Sequence, residues 1–266
     1  MADLAPYRVL LGSRLRAQLT YRRSFVLDVL GSVAIGALEF AEVYVIFSSI
    51  TVLGELDFAG AALLFALANI SFSIADMVVG HVDTLPQYIR TGTLDAFLLR
   101  PLPVLAQLIT SDLQLRRLGR TAFALVIGVV ALAQADIAWT PALALLAALT
   151  PVTGAAIFAA LFVCAAAVQF WLVEGGEFAN AFTYGGSYAA SYPTSIFTLP
   201  MRVLFTFVIP AAFTAYLPTL VLLGHAGPAL TPAVLGWFAP LAAALAWTVA
   251  LLGWRAGLRH YTGTGS

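Results

Sequence analysis

PALALLAALTPVTGAAIFAALFVCAAAVQFWL, residues 141–172, runs for 32 residues without an acidic, basic or histidine side chain. About 20 apolar residues in a helix cross the hydrocarbon core of a bilayer, so this stretch reads as a membrane span. Pro141 suits the first turn of that helix, where a missing N–H costs nothing. Ala156, Ala160 and Cys164 make a row of small residues at four-residue spacing, a surface on which another helix packs. Cys164 is the single cysteine, which excludes an intrachain disulfide and a cysteine-based metal cluster.

Working outward, five more apolar runs are found at about 24–50, 58–80, 119–136, 198–217 and 233–254. The chain of 266 residues is 61% hydrophobic and 10% charged; a soluble domain averages about 25% charged. The expected fold is therefore an all-α integral membrane protein with six transmembrane helices. It forms one membrane domain over 24–254, followed by a cytoplasmic tail at 255–266. Residues 218–232 are too apolar for an ordinary loop and too short and rich in Gly and Pro to span. They are expected to form a re-entrant segment on the outer face.

All thirteen positive charges are arginine. Arg8, Arg14, Arg16, Arg22 and Arg23 precede the first run; Arg90, Arg100, Arg116, Arg117 and Arg120 lie between the second and third. Arg202 opens the fifth, and Arg255 and Arg259 follow the sixth. With the N-terminus inside, every arginine falls in the cytoplasm or at its border, as the positive-inside rule requires. Segments 81–118 and 173–200 are then cytoplasmic, and 51–57, 137–140 and 218–232 are outside. Both termini are expected on the cytoplasmic side.

Leu4, Tyr7, Leu11, Leu15 and Leu19 recur at near-helical spacing among the first arginines. Residues 1–23 are therefore expected to form an amphipathic helix lying in the membrane interface. Net charge is zero, which gives nucleic acid no electrostatic footing. The chain has no lysine, so a Walker A phosphate loop and a Schiff-base lysine are both excluded. If ATP drives this protein, another subunit binds it. The histidines are isolated, and no metal site is credible.

The segment 81–103 carries LPQYIRTGTLDAFLLRPLP, residues 85–103. Gly92 supplies a turn, Thr93 can N-cap a short helix, and Asp95 suits the helix dipole. Leu94, Phe97 and Leu98 share one face, and Arg100-Pro101 stops the helix. The functional reading is an aromatic knob at Phe97 that fits a groove on a soluble partner; the plainer one is a surface helix folded back on the bilayer.

The pattern from Ile89 and Arg90 through Gly92, Leu94, Asp95, Leu98, Leu99, Arg100, Pro101 and Leu102 resembles the permease subunits of type-2 bacterial ABC exporters. The likeness is to a branch of short permeases associated with drug or antibiotic efflux. Similar runs recur there at FWLVEGGEFANAFTYGG (170–186), Tyr192-Pro193 and Phe205–Pro210. The resemblance implies that 1–23 is a connecting helix and that 86–101 is the coupling helix docking on an ATP-binding subunit. It further implies two copies of that subunit carrying ATP and Mg, and a second permease, identical or paralogous. Motion would pass from Phe97 into the first and fifth spans.

Polar residues inside the spans are costly. On the first run Asp28 and Glu39 share a face, with Ser32 and Glu42 near it; on the second Asn69, Ser73 and Asp76 line up. Three readings stand: hydrogen bonding to a neighbouring helix, a polar lining for a cationic or amphiphilic substrate, or a proton relay through Glu39 or Glu42 in a secondary transporter. Asp112 and Arg116 are expected to pair along one helix.

Overall fold

The computed structural model describes residues 22–172 and 176–262, together with Gly12 and Thr20. The expected interfacial helix at 1–23 lies almost wholly outside the described residues. Among those residues the architecture is helical, with a lone Leu53–Leu56 bridge in one turn.

The charge-poor runs become the long helices: α1 (Arg22–Ser49), α2 (Phe58–Val79), then α3 (Leu85–Arg90), α4 (Thr93–Leu98) and α5 (Val104–Ser111) as short pieces. After these come α6 (Leu118–Gln134), α7 (Pro141–Val168), α8 (Gly176–Ala190), α9 (Leu199–Val203), α10 (Tyr216–Leu222) and α11 (Ala239–His260). Asp57 caps α2 by accepting from the Gly60 N–H at 2.8 Å. Thr140 caps α7 with Pro141 in its first turn. Arg22–Ser49, Phe58–Arg90, Pro141–Val168 and Ala233–His260 are each long and apolar enough to cross a membrane.

The helices pack in a row: α1 against α6, α6 against α2, α2 against α7, and α7 against α11. In the middle of the row, α2 and the second half of α7 are mostly buried, whereas α1, α11 and the first half of α7 turn large apolar side chains outward. Two crossings are very close. At Gly119 of α6 an added Cβ would overlap the Ser32 hydroxyl and the Val29 carbonyl of α1. At Gly154 of α7 it would lie 2.8 Å from the Thr214 carbonyl oxygen and would overlap the Ser71 hydroxyl of α2.

The two ends of the bundle are marked by contacts. At one end Glu55, in the α1–α2 turn, accepts from Ser195 at 2.8 Å and from Tyr216 at 2.9 Å. Asp57, Gln134, Asp136, Leu223 and His225 surround the same depression. At the other end Gln114 N–H donates to the Met77 carbonyl, Tyr261 meets Asp95, and Phe170 packs on Trp254.

This geometry corrects the expected map after α7. Residues 51–57 and 173–200 were expected on opposite sides, but Ser195 touches Glu55, so the chain around Ser195 lies at the α1–α2 end of the bundle. The helix α8 leaves the α7 end and delivers the chain to the α1–α2 turn. The expected span at 198–217 is not one straight helix. Leu199–Val208 and Pro210–Leu222 are bent by 63° at Ile209. Pro210 has no N–H and forces the residue before it out of the helical region; Ile209 is extended, after a π-helical turn over Leu204–Val208. Residues 199–222 thus start and finish at the Glu55 end. Between those ends Thr214 lies beside Ser71 and Gly154, each thirteen residues or about 20 Å along its helix. The sharp bend in this apolar stretch therefore falls within 199–222, ahead of the expected outer-face segment 218–232. Residues 223–232 close it by turns in which Gly224 and Gly227 adopt φ of 70° and 76°. Arg202, expected at the cytoplasmic border, is at this end and donates to the carbonyls of Ser195 and Phe197. Residues 255–260, expected as tail, continue α11.

Candidate functional site

Two regions hold the residues that the sequence singles out. The first is a polar cluster within the bundle. Glu39 of α1 faces Arg120 of α6, with Oε2 and Nη2 2.6 Å apart and each side chain 12% exposed. Arg120 also donates to the Asn69 Oδ1 of α2, at 3.1 Å from Nε and 2.8 Å from Nη2, and its guanidinium lies over the Phe72 ring. Asn69 in turn donates to the Phe65 carbonyl and, at 3.4 Å, to Ser191 just beyond α8. One arginine therefore joins α1, α2 and α6, and Asn69 extends the chain of contacts toward α8.

A second charge pair lies nearer the far end. Asp76, 1% exposed, has Oδ2 2.7 Å from Arg117 Nε. The two meet as an ion pair without a well-aimed hydrogen bond. Ser32 donates to the Arg116 carbonyl at 2.8 Å. The arginines expected in the cytoplasmic loop or at the border of the third span thus supply the partners of the polar stripes. The remaining stripe residues are not gathered in. Asp28 is exposed, Glu42 is exposed and reaches Tyr192 at 3.4 Å, and Ser73 is buried with its hydroxyl unpartnered.

Glu39, Glu42 and Arg120 line a crevice with Ser187, Tyr188, Ser191 and Tyr192. Its volume is about 10 Å³, room for a single water at most. A substrate would enter here only if α1 and α8 moved apart. Sequence reasoning missed Arg120 and the α8 side because a border arginine and a supposed cytoplasmic loop gave no intramembrane signal.

The second region is the segment 81–103. Gly92 sits at φ 68° between α3 and α4, so α4 folds back on α3. Thr93 does not cap α4; it is the first helical residue, preceded by Gly92. Ile89, Leu94 and Phe97 are buried. Phe97 packs on Tyr88 with ring centroids 5.4 Å apart, and the Arg100 guanidinium lies over the Phe97 ring, 5.6 Å from its centroid. Gln107 of α5 donates to the carbonyls of Phe97 and Leu102 at 2.9 and 2.8 Å. Asp95 accepts from Tyr261 at 2.9 Å. The expected aromatic knob is thus turned inward, since Phe97 is the wedge that holds α4 in place. What projects is Leu98 and Leu99, 45% and 88% exposed, with Arg90, Arg100 and Pro101 also exposed beside them. Asp112 is extended, not helical, so it does not pair with Arg116 along one helix; it stands 3.9 Å from His81.

Residues 33–265 match a protein-family model described as ABC-2 family transporter protein. No curated protein and no solved structure matches the chain.

Proposed function

Because the chain belongs to the ABC-2 family of transporter proteins, we propose that it is the membrane-spanning permease subunit of an ATP-driven exporter. In this reading a separate ATP-binding subunit, two copies per assembly, supplies ATP and Mg; this chain has no lysine for a Walker A loop. A second permease, identical or paralogous, completes the path. The substrate is a hydrophobic or amphiphilic molecule, drug-like, antibiotic or lipid-like, moved outward from the cytoplasm or inner leaflet of a bacterial inner membrane.

Six crossings remain the reading, with a changed fifth. They are α1, α2, α6, α7, α8 and α11, and residues 199–222 form an outer re-entrant hairpin. The helix α6 has 17 residues, a rise of about 25 Å, and α8 is polar enough that only burial between neighbours makes it tolerable in a membrane. The termini then lie on the cytoplasmic side with α3–α5.

The observation that carries the proposal is the built lever at that end. The helix α4 is wedged by Leu94 and Phe97, tied to α5 through Gln107 and to α11 through Tyr261, and it offers Leu98 and Leu99 to solvent. A partner closing on those leucines would move α3–α4 as one piece. The ties lead into α2, through the 3₁₀ turn Gly80–Thr84, and into α11. The same turn touches α8, the fifth crossing in this reading, and the sequence reading placed the motion in the first and fifth spans. Widening the Glu39–Arg120 crevice would then open a polar-lined path.

The proton-coupled alternative needs an acid free to load and release protons. Glu39 has a cationic partner at 2.6 Å, and Glu42 stands at the exposed edge, so neither favours it. The test is Leu99→Asp in vesicles holding permease and ATPase together. Export is expected to fall by at least about tenfold while ATP hydrolysis persists and the chain stays folded, as surface substitutions usually allow. Unchanged export would sink the coupling assignment.

A further inference from the structure

A cavity of about 490 Å³ lies among α7, α8, the re-entrant hairpin and α11, and it shares no lining residue with the Glu39–Arg120 crevice. Its wall follows the chain from Phe238 to Val249, eleven residues or about 16 Å at helical rise. Spread over that length, the volume corresponds to a channel about 6 Å across. Carbon atoms touch at about 3.5–4.0 Å, so the channel accepts one extended hydrocarbon chain. Phe207, Val208, Leu245 and Val249 line it and are also more than half exposed on the outside of the bundle. The cavity therefore opens sideways, toward what in a membrane is lipid.

One polar feature breaks the apolar wall. Thr206 is fully buried, lines the cavity, and its hydroxyl has no hydrogen-bond partner. Buried polar groups are nearly always satisfied, and a pocket with apolar walls and one placed polar group is the usual form of a small-ligand site. We propose that this cavity binds a single extended alkyl chain bearing a hydrogen-bonding group, taken from the bilayer. Thr206 engages the polar group, and α7 and α11 hold the chain. Pro210 and Phe213 line the same space, so the occupant also braces the bend of the hairpin. The site stands whether or not the chain transports anything.

The test uses the full chain in phosphatidylcholine nanodiscs and two photoactivated probes: a phosphatidylcholine with a diazirine in one acyl chain, and a long-chain alcohol with a diazirine. With either probe, adducts on 204–208 and 241–249 are expected several-fold above those on the exposed face of α1. Labelling by the phospholipid identifies a resident lipid, and labelling by the alcohol alone a free amphiphile; both support the site. Thr206→Val is expected to lower alcohol labelling by about two- to tenfold, one hydrogen bond's worth, and to leave labelling by a diazirine alkane unchanged. Ala242→Trp is expected to abolish labelling by filling the channel. Should that variant not fold, protection of the native Cys164 from an apolar maleimide by the alcohol reads the same occupancy. Even labelling over all exposed faces, indifference to Thr206→Val, or cross-links between copies at 241–249 in place of probe adducts would overturn the proposal.

Discussion

Arg120 joins more of the polar interior than any acid that the sequence brings forward. Its guanidinium takes Glu39 and Asn69 together and covers Phe72. Removing one partner of a buried pair leaves the other charge uncompensated, at a cost of about 3–5 kcal/mol, whereas replacing both with apolar residues is often nearly neutral. Arg120→Leu alone is expected to destabilise by that amount. The Glu39→Leu, Arg120→Leu double variant is expected to be less damaging than Arg120→Leu, as read by reversible unfolding in mixed micelles. Strict additivity would show that the two side chains do not act as a pair. Phe97 makes the opposite case. Its burial against Tyr88 means that Phe97→Ala should cost about 3–5 kcal/mol as a lost core ring, so its effect on export would come with instability, unlike that of Leu99→Asp. Glu39, Asn69 and Asp76 were legible in the sequence as costly polar residues inside spans. Arg120 was not, because its reach toward Glu39 depends on where α6 stands beside α1.

At the scale of elements, composition located the most apolar helices well and the more polar ones poorly. The ends of α1, α2 and α7 at the start of each run fall within two residues of expectation. The helix α8 was missed because Gly, Ser, Thr and Tyr dilute its hydropathy; it needs little, being packed on α7 and α2 with Ala179, Thr183 and Ser187 buried. The hairpin was misread for the converse reason. Residues 198–217 are apolar enough to span, and hydropathy does not register the bend that Pro210 imposes. The close crossing at Gly154 carries a prediction of its own. Gly154→Ile drives a branched side chain into Ser71 and the Thr214 carbonyl, so it should cost about 1–3 kcal/mol through overpacking. Thermal denaturation in detergent would measure it; a neutral result would mean that the hairpin does not insert between α2 and α7.

For the whole molecule, the decisive question is which loops share a side. The contacts place Ile196 with the α1–α2 turn and Leu99 with the opposite end. In a Cys164→Ala background, Ile196→Cys is expected to react with an impermeant maleimide added outside intact cells, and Leu99→Cys only after lysis. Reaction of both from one side would break the proposed orientation.

Sequence alone determined that this is a helical membrane chain, roughly where its lipid-facing rods begin, and which acids are out of place in oil. Those are properties of transfer from water to hydrocarbon, which each residue carries with it. The tertiary structure decided the rest: that α8 packs along α7 and that 199–222 bends sharply at Ile209, that Phe97 points inward and Leu99 outward, and that arginines on α6 answer acids on α1 and α2. Each of these depends on which helix stands next to which, and proximity between residues distant in the chain is not written into the hydropathy of either.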